Sequence, residues 1–165
     1  MKEPLLSTFA SACLLLTAAW TAKAQPVKVE IEKNDSGFVL MRDHQPYFIK
    51  GAGGTNYIDR LAKYGGNSLR TWSTSNGDQV LAKADHLGLT VTMGLDVARE
   101  RHGFNYDDTA AVRKQLEKRR MEVIKYRNYP ALLMGGVGNE LNLNYKHPKV
   151  WDAVNDIVKM IHRED

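Results

Sequence analysis

The chain has 165 residues, of which 43% are apolar and 25% charged, with a formal net charge of +4 and one cysteine. That length suits one domain, and the composition excludes collagen-like, disulfide-dense and strongly disordered classes. The positive charges are interspersed with negative ones rather than gathered into a stripe, so nucleic acid is not expected as a partner.

The first 24 residues read as a secretory signal peptide. Lys2 supplies a positive start, residues 5–20 are mostly apolar, and Ala22-Lys23-Ala24 is a small-x-small cleavage site. The apolar run falls short of the roughly 20 residues that span a bilayer, so no membrane association is expected after cleavage. Cys13 lies within this run and leaves with it. The mature chain, from Gln25, then has no cysteine and a net charge of +3 once Lys2, Glu3 and Lys23 are removed. A secreted or periplasmic protein stabilised by its core alone is expected.

Residues 25–44 predict a β-hairpin. Val27, Val29 and Ile31 alternate with Lys28, Glu30 and Glu32, and Asn34-Asp35-Ser36-Gly37 turns the chain into Phe38–Met41. From Gln45 the pattern changes to alternating strands and helices. Strands are predicted over 47–52, 67–72, 89–95 and 131–137, the last two as apolar runs buried on both faces of a parallel sheet. Helices are predicted over 57–64, 78–86 and 108–127, with a fourth starting near Pro148 and presenting Val150, Val154, Ile157, Val158 and Ile161 on one face. The basic run Lys118-Arg119-Arg120 falls on the third helix as its solvated face. Four strand–helix units fit either a small doubly wound sheet or half of an eight-stranded barrel.

In both architectures chemistry collects at the C-terminal ends of the strands. Those ends carry Gly51-Ala52-Gly53-Gly54, then Arg70-Thr71-Trp72-Ser73, then Asp96 with Glu100, Arg101 and His102 behind it, and finally Gly138-Asn139-Glu140. Gly51-x-Gly53 opens like a dinucleotide-binding loop, but Asn56 stands where a third glycine is needed and Trp72 where an acid is needed. Asn139-Glu140 is more informative, because a carboxylic acid in a cleft can protonate a leaving oxygen while an amide beside it holds a sugar hydroxyl. A surface ion pair between Glu140 and a Lys or Arg is the alternative. Trp72 could stack on a sugar ring, His102 could overhang the site, and Trp151 reads as packing, as do Tyr47 and Phe48. His44 and His86 lack ligand-like spacing, and neither metal nor cofactor is expected.

The segments 47–51, 66–72, 87–95 and 138–140 resemble the first four strands of a clan A glycoside hydrolase, most closely the barrel domain of family 2 glycosyl hydrolases, with families 72 and 5 as relatives. The likeness covers Gln45 to the C-terminus. It implies an α/β fold made of the first four βα units of a (β/α)8 TIM barrel, and hydrolysis of a β-linked oligo- or polysaccharide with retention of configuration. A family 72-type transglycosidase and a non-catalytic carbohydrate-binding fragment are the alternatives. By the same resemblance Glu140 is the general acid and base, Asn139 holds the hydroxyl next to the anomeric carbon, and Arg70 lies beneath the site near the nucleophile. The nucleophile comes from a seventh strand, whereas a whole barrel needs about 250 residues. The chain is therefore expected to be half of a domain, its open edges covered by the rest of a longer reading frame, by another chain or by a second copy. Truncation is favoured, because residues 161–165 end without a helix stop.

Overall fold

The computed structural model of the chain describes residues 25–35 and 37–165. The predicted signal peptide lies outside them. The described residues fold into two sheets and four α-helices. The first sheet is antiparallel, with strand order β1 (Val29–Asn34), β2 (Gly37–Arg42) and β3 (Gln45–Pro46). Val29 pairs with Arg42 and Asn34 with Gly37, so the hairpin closes at the predicted polar turn. Its tip stands away from the body: Ile31 is 61% and Phe38 75% exposed.

The second sheet is parallel, ordered β4 (Gly51–Gly53), β5 (Ser68–Arg70), β6 (Thr90–Leu95) and β7 (Leu132–Val137). Between them run α1 (Ile58–Lys63), α2 (Gly77–His86) and α3 (Thr109–Tyr126), and α4 (Lys149–Glu164) follows β7. The strands follow one another in sequence order. A doubly wound sheet reverses direction at its switch point, so that alternative is excluded. With right-handed crossovers, sequential order places every helix on the same face.

The core confirms this one-sided layering. Leu69 of β5 with Val91 and Met93 of β6 is buried among Ile58, Val80, Leu81, Ala84 and Tyr126 from the helices. A second cluster joins Val150, Ala153, Ile157 and Met160 of α4 to Val97, Tyr106 and Leu141 from the loops after β6 and β7. Helix α3 ties the two together, giving Tyr126 to the first and packing Val112, Leu116 and Val123 against the second. Its start is fixed by Asp108, whose carboxylate accepts from the N–H groups of Ala110 and Ala111.

Side chains alternate along a strand, so Ser68, Arg70, Thr90 and Thr92 face away from the helices. Strand β6, inside the sheet, is buried almost throughout as predicted, whereas β7, with a strand neighbour on one side, is only half-buried. The N-terminal end of the sheet is closed by Tyr47, whose hydroxyl donates to Asn67 O at 2.9 Å and lies 3.1 Å from Thr90 Oγ1. Two further expectations are corrected here. Arg119 is buried rather than solvated, with its charge matched by Glu122 at 2.7 Å. Phe48, expected to pack, is 81% exposed.

Candidate functional site

Three strand ends and two loops converge at the C-terminal edge of the parallel sheet. Arg70 ends β5 and points to the helix-free face, where its Nη2 donates to Asn139 Oδ1 at 3.2 Å. That bond links the ends of β5 and β7 across the intervening β6. Arg70 also lies 5.9 Å from the centre of the Trp72 ring, a cation–π distance. A hollow of about 330 Å³ opens beside it, bordered by Ile49, Gly51, Gly53, Ser68 and Thr92.

Glycines set the shape of this edge in two places. A Cβ on Gly53 would lie 2.9 Å from Cη2 of Trp72, so the bare glycine lets the indole sit against the end of β4. A Cβ on Gly94 would fall 2.4 Å from the carbonyl carbon of Trp72 and 2.7 Å from Thr71 O. Strand β6 thus passes directly against the Thr71–Trp72 backbone, and Gly94 N–H donates to Thr71 Oγ1 at 3.1 Å.

After β7 the chain turns at Gly138 and Glu140, whose φ angles are 72° and 50°. The left-handed conformation costs a non-glycine residue about 1–2 kcal/mol, and strain of this kind persists only where neighbours enforce it. Arg101 enforces it here. Its Nη1 donates to Glu140 O at 2.6 Å and its Nη2 to Glu140 Oε2 at 3.3 Å. Arg99 adds a third hold, with Nε donating to Asn139 O at 3.0 Å. The Glu140 side chain is 59% exposed, so it faces solvent while remaining tethered.

The loop after β6 also fixes the remainder of the β7–α4 loop. Glu100 Oε2 accepts from the N–H groups of Lys146 at 2.7 Å and His147 at 3.0 Å. Asp107 meets Lys149 at 2.6 Å and His147 at 3.3 Å. The His147 amide, followed by that of Lys146, holds the Glu100 carboxyl below the usual carboxylate range. A group with a lowered folded-state pKa contributes its stabilisation above the ordinary value and loses it as pH falls. We therefore expect the protection factors of the Lys146 and His147 amides, their exchange relative to an unstructured amide at the same pH, to be high at neutral pH and to fall as pH drops through the carboxylate range. Glu100→Ala should abolish the difference, whereas unchanged protection at pH 3 would contradict the clamp.

Of the predicted site residues, the structure brings together Arg70, Trp72, Asn139 and Glu140. His102 lies exposed in the short 3-10 turn Glu100–His102, and its side chain makes no hydrogen bond to the other four among the described residues. Arg99 and Arg101, which precede it, reach Asn139 and Glu140 instead. Arg99 escaped the sequence reading, because a polar loop without periodicity does not reveal which way its side chains turn. Among the described residues no three His, Cys, Asp or Glu side chains group as metal ligands, and no helix is long and apolar enough to cross a membrane.

The fold of the described residues is similar to part of several β-glucuronidase structures. It is similar to the β-glucuronidase from Dictyoglomus thermophilum, with a TM-score of 0.63 and 20% identity over 84% of this chain and 27% of that one. It is also similar to the Ruminococcus gnavus β-glucuronidase in complex with C6-substituted uronic isofagomine (TM-score 0.61, 14% identity, 84% of this chain and 26% of that one). The Bifidobacterium dentium β-glucuronidase complexed with coumarin-3-O-glucuronide compares at a TM-score of 0.59 and 15% identity, over 84% and 24%. The chain thus spans about a quarter of the length of these structures. No family model and no curated protein sequence matches it.

Proposed function

We propose that this chain carries the acid/base half of a retaining glycosidase active site acting on a β-linked glycan outside the cytoplasm. The observation that carries the reading is the Arg70–Asn139 contact, which sets an amide and the following carboxylate at the C-terminal edge of a sequentially ordered parallel sheet. In this reading the four βα units are the first half of an eight-stranded barrel. The single-neighbour strands β4 and β7 support it, as does a hollow of about 680 Å³ along β4 and α1 where a further unit would lie.

The residues divide the work by their chemistry. Asn139 accepts from Arg70 through Oδ1, leaving its amide N–H groups to donate to a sugar hydroxyl. Trp72 offers an apolar ring, 47% exposed, to a sugar face. Glu140 protonates the leaving oxygen and later deprotonates the incoming water, and to do so its Oε2 must leave Arg101. A second carboxylate, roughly 5 Å from the first, would attack the anomeric carbon from a later strand. Sugar identity and the choice between water and a second sugar as acceptor depend on loops beyond these four units.

The test uses the polypeptide that also supplies the later strands. NMR of the first-formed sugar should show a β-anomer before mutarotation. An α-anomer would exclude retention, and absence of turnover on every β-linked glycan tried would exclude the glycosidase reading.

A further inference from the structure

The loop that carries Arg99 and Arg101 is gripped at its start by two buried residues that play no part in the chemistry proposed for the site. Strand β6 ends at Leu95, so the backbone groups of Ala98, three positions on, have no ladder to join. Side chains take them instead. Gln115 of α3 accepts from Ala98 N–H through Oε1 at 2.7 Å, and the Tyr106 hydroxyl donates to Ala98 O at 2.5 Å. Both side chains are buried, and Val97 beside Ala98 is buried in the cluster with Leu141 and the packed face of α4.

Gln115 is a costly residue for this place. It lies on the helix that packs Val112 and Leu116 against the second apolar cluster, and its Nε2 is buried without a hydrogen-bond partner among the described residues. An unpaired buried amide disfavours the fold, whereas leucine or methionine would fill similar space without that cost. What glutamine adds over them is the oxygen that Ala98 N–H meets. Folds keep a locally unfavourable residue where it serves a site. The residue after Ala98 is Arg99, whose Nε donates to Asn139 O and whose Nη1 lies 3.4 Å from Asp96 Oδ1. Arg101, two positions further, holds Glu140.

We infer that Tyr106 and Gln115 are positioning residues for the Asn139–Glu140 pair, acting through Ala98 and the arginines that follow it. The inference rests on the reading of that pair as the sugar-holding and proton-transferring groups. With both backbone groups of Ala98 held, the Arg99 side chain departs from a fixed Cα one residue on, and its hold on Asn139 O is preset. The relay runs from α3, the helix that ties the two apolar clusters together, to the turn after β7.

The experiment is NMR of the 15N-labelled chain and of two variants. Tyr106→Phe removes one hydroxyl and keeps the ring against Phe104, and Gln115→Met keeps the length and removes the oxygen. In each, exchange of the Arg99 Nε–H should speed up by about fivefold, the scale of one lost hydrogen bond. The backbone amides of Asn139 and Glu140 should shift, while those of β1 and β2 stay still. A purely local role would move Ala98 and its neighbours and leave residues 139 and 140 unchanged in both variants, and that result would overturn the inference. Loss of the whole spectrum in both would do the same, since the two residues would then serve folding. Titrating the same samples with cellotetraose and laminaritetraose separates this inference from the glycan reading. Where the parent chain binds, both variants should raise Kd by about fivefold, and an unchanged Kd in both counts against positioning. If the parent binds neither sugar, the glycan reading alone fails, because the shifts at Asn139 and Glu140 decide the positioning without it.

Discussion

Replacing Glu140 by glutamine in the polypeptide that includes the seventh-strand carboxylate should lower kcat/KM on glycans with sugar leaving groups by about 10³-fold. On activated aryl glycosides kcat/KM should fall by no more than about tenfold. The asymmetry follows from what the substitution removes. Glutamine keeps the shape of the side chain and an oxygen for Arg101 Nη2, and the backbone hold of Arg101 Nη1 on residue 140 is untouched. Only proton transfer is lost. A sugar alkoxide cannot depart without a proton, whereas an activated phenolate can, so the first chemical step is penalised selectively. The second step still needs a base, so kcat on aryl substrates should fall further than kcat/KM. Equal losses on both substrate classes would mean that Glu140 does not act on the leaving oxygen and that its pairing with Arg101 is structural.

Gly94→Ala should destabilise the fold by about 2–3 kcal/mol and dismantle the site at the same time. The added methyl meets the carbonyl carbon and Cα of Trp72 and the carbonyl oxygen of Thr71, all backbone atoms that no rotamer change can move aside. Strand β6 must shift away from β5, which breaks the Gly94–Thr71 hydrogen bond and moves Arg70 relative to Asn139. Gly136, the residue paired with Gly94 on β7, provides the contrast. A Cβ there comes no nearer than 3.8 Å to Thr92 Cγ2, so Gly136→Ala should be tolerated. Urea unfolding of the two variants separates the cases, since equal midpoints would remove the close β5–β6 approach from the account.

Much of this architecture was legible because apolar periodicity survives into the structure. The helix predicted over 108–127 spans Thr109–Tyr126 and that predicted over 78–86 spans Gly77–His86. The strand predicted over 47–52 is the instructive exception, since only Gly51–Gly53 pairs as β4. Upstream of it, side chains add to two isolated backbone bonds, Tyr47 N–H to Leu40 O at 2.7 Å and Asn67 N–H to Lys50 O at 2.8 Å. Asn67 Oδ1 accepts from Lys50 N–H at 2.7 Å and its Nδ2 donates to Phe48 O at 2.8 Å. Such contacts join residues 17 and 19 positions apart and leave no periodic trace. The two-residue β3 was invisible for a related reason, being too short to alternate and containing Pro46.

The candidate site divides along the same line. Arg70 and Asn139-Glu140 were legible because a polar residue directly after an apolar strand lands on the sheet edge. The holds that Arg99, Glu100 and Arg101 exert on the loop after β7 were not, since they depend on how two irregular loops face each other. The run Lys118–Arg120 carries the same lesson, because a basic residue on a helix can turn inward when an acid such as Glu122 lies one turn on.

The central claim is that Arg70 and Asn139 hold a sugar, and calorimetric titration of the chain with β-linked tetrasaccharides tests it without requiring turnover. Saturable binding is expected in at least one case, weakened about tenfold by Asn139→Ala and by Arg70→Ala, the scale of one lost charge-assisted or sugar-facing hydrogen bond. Affinity left intact in both variants, or no binding by the parent chain, would contradict it.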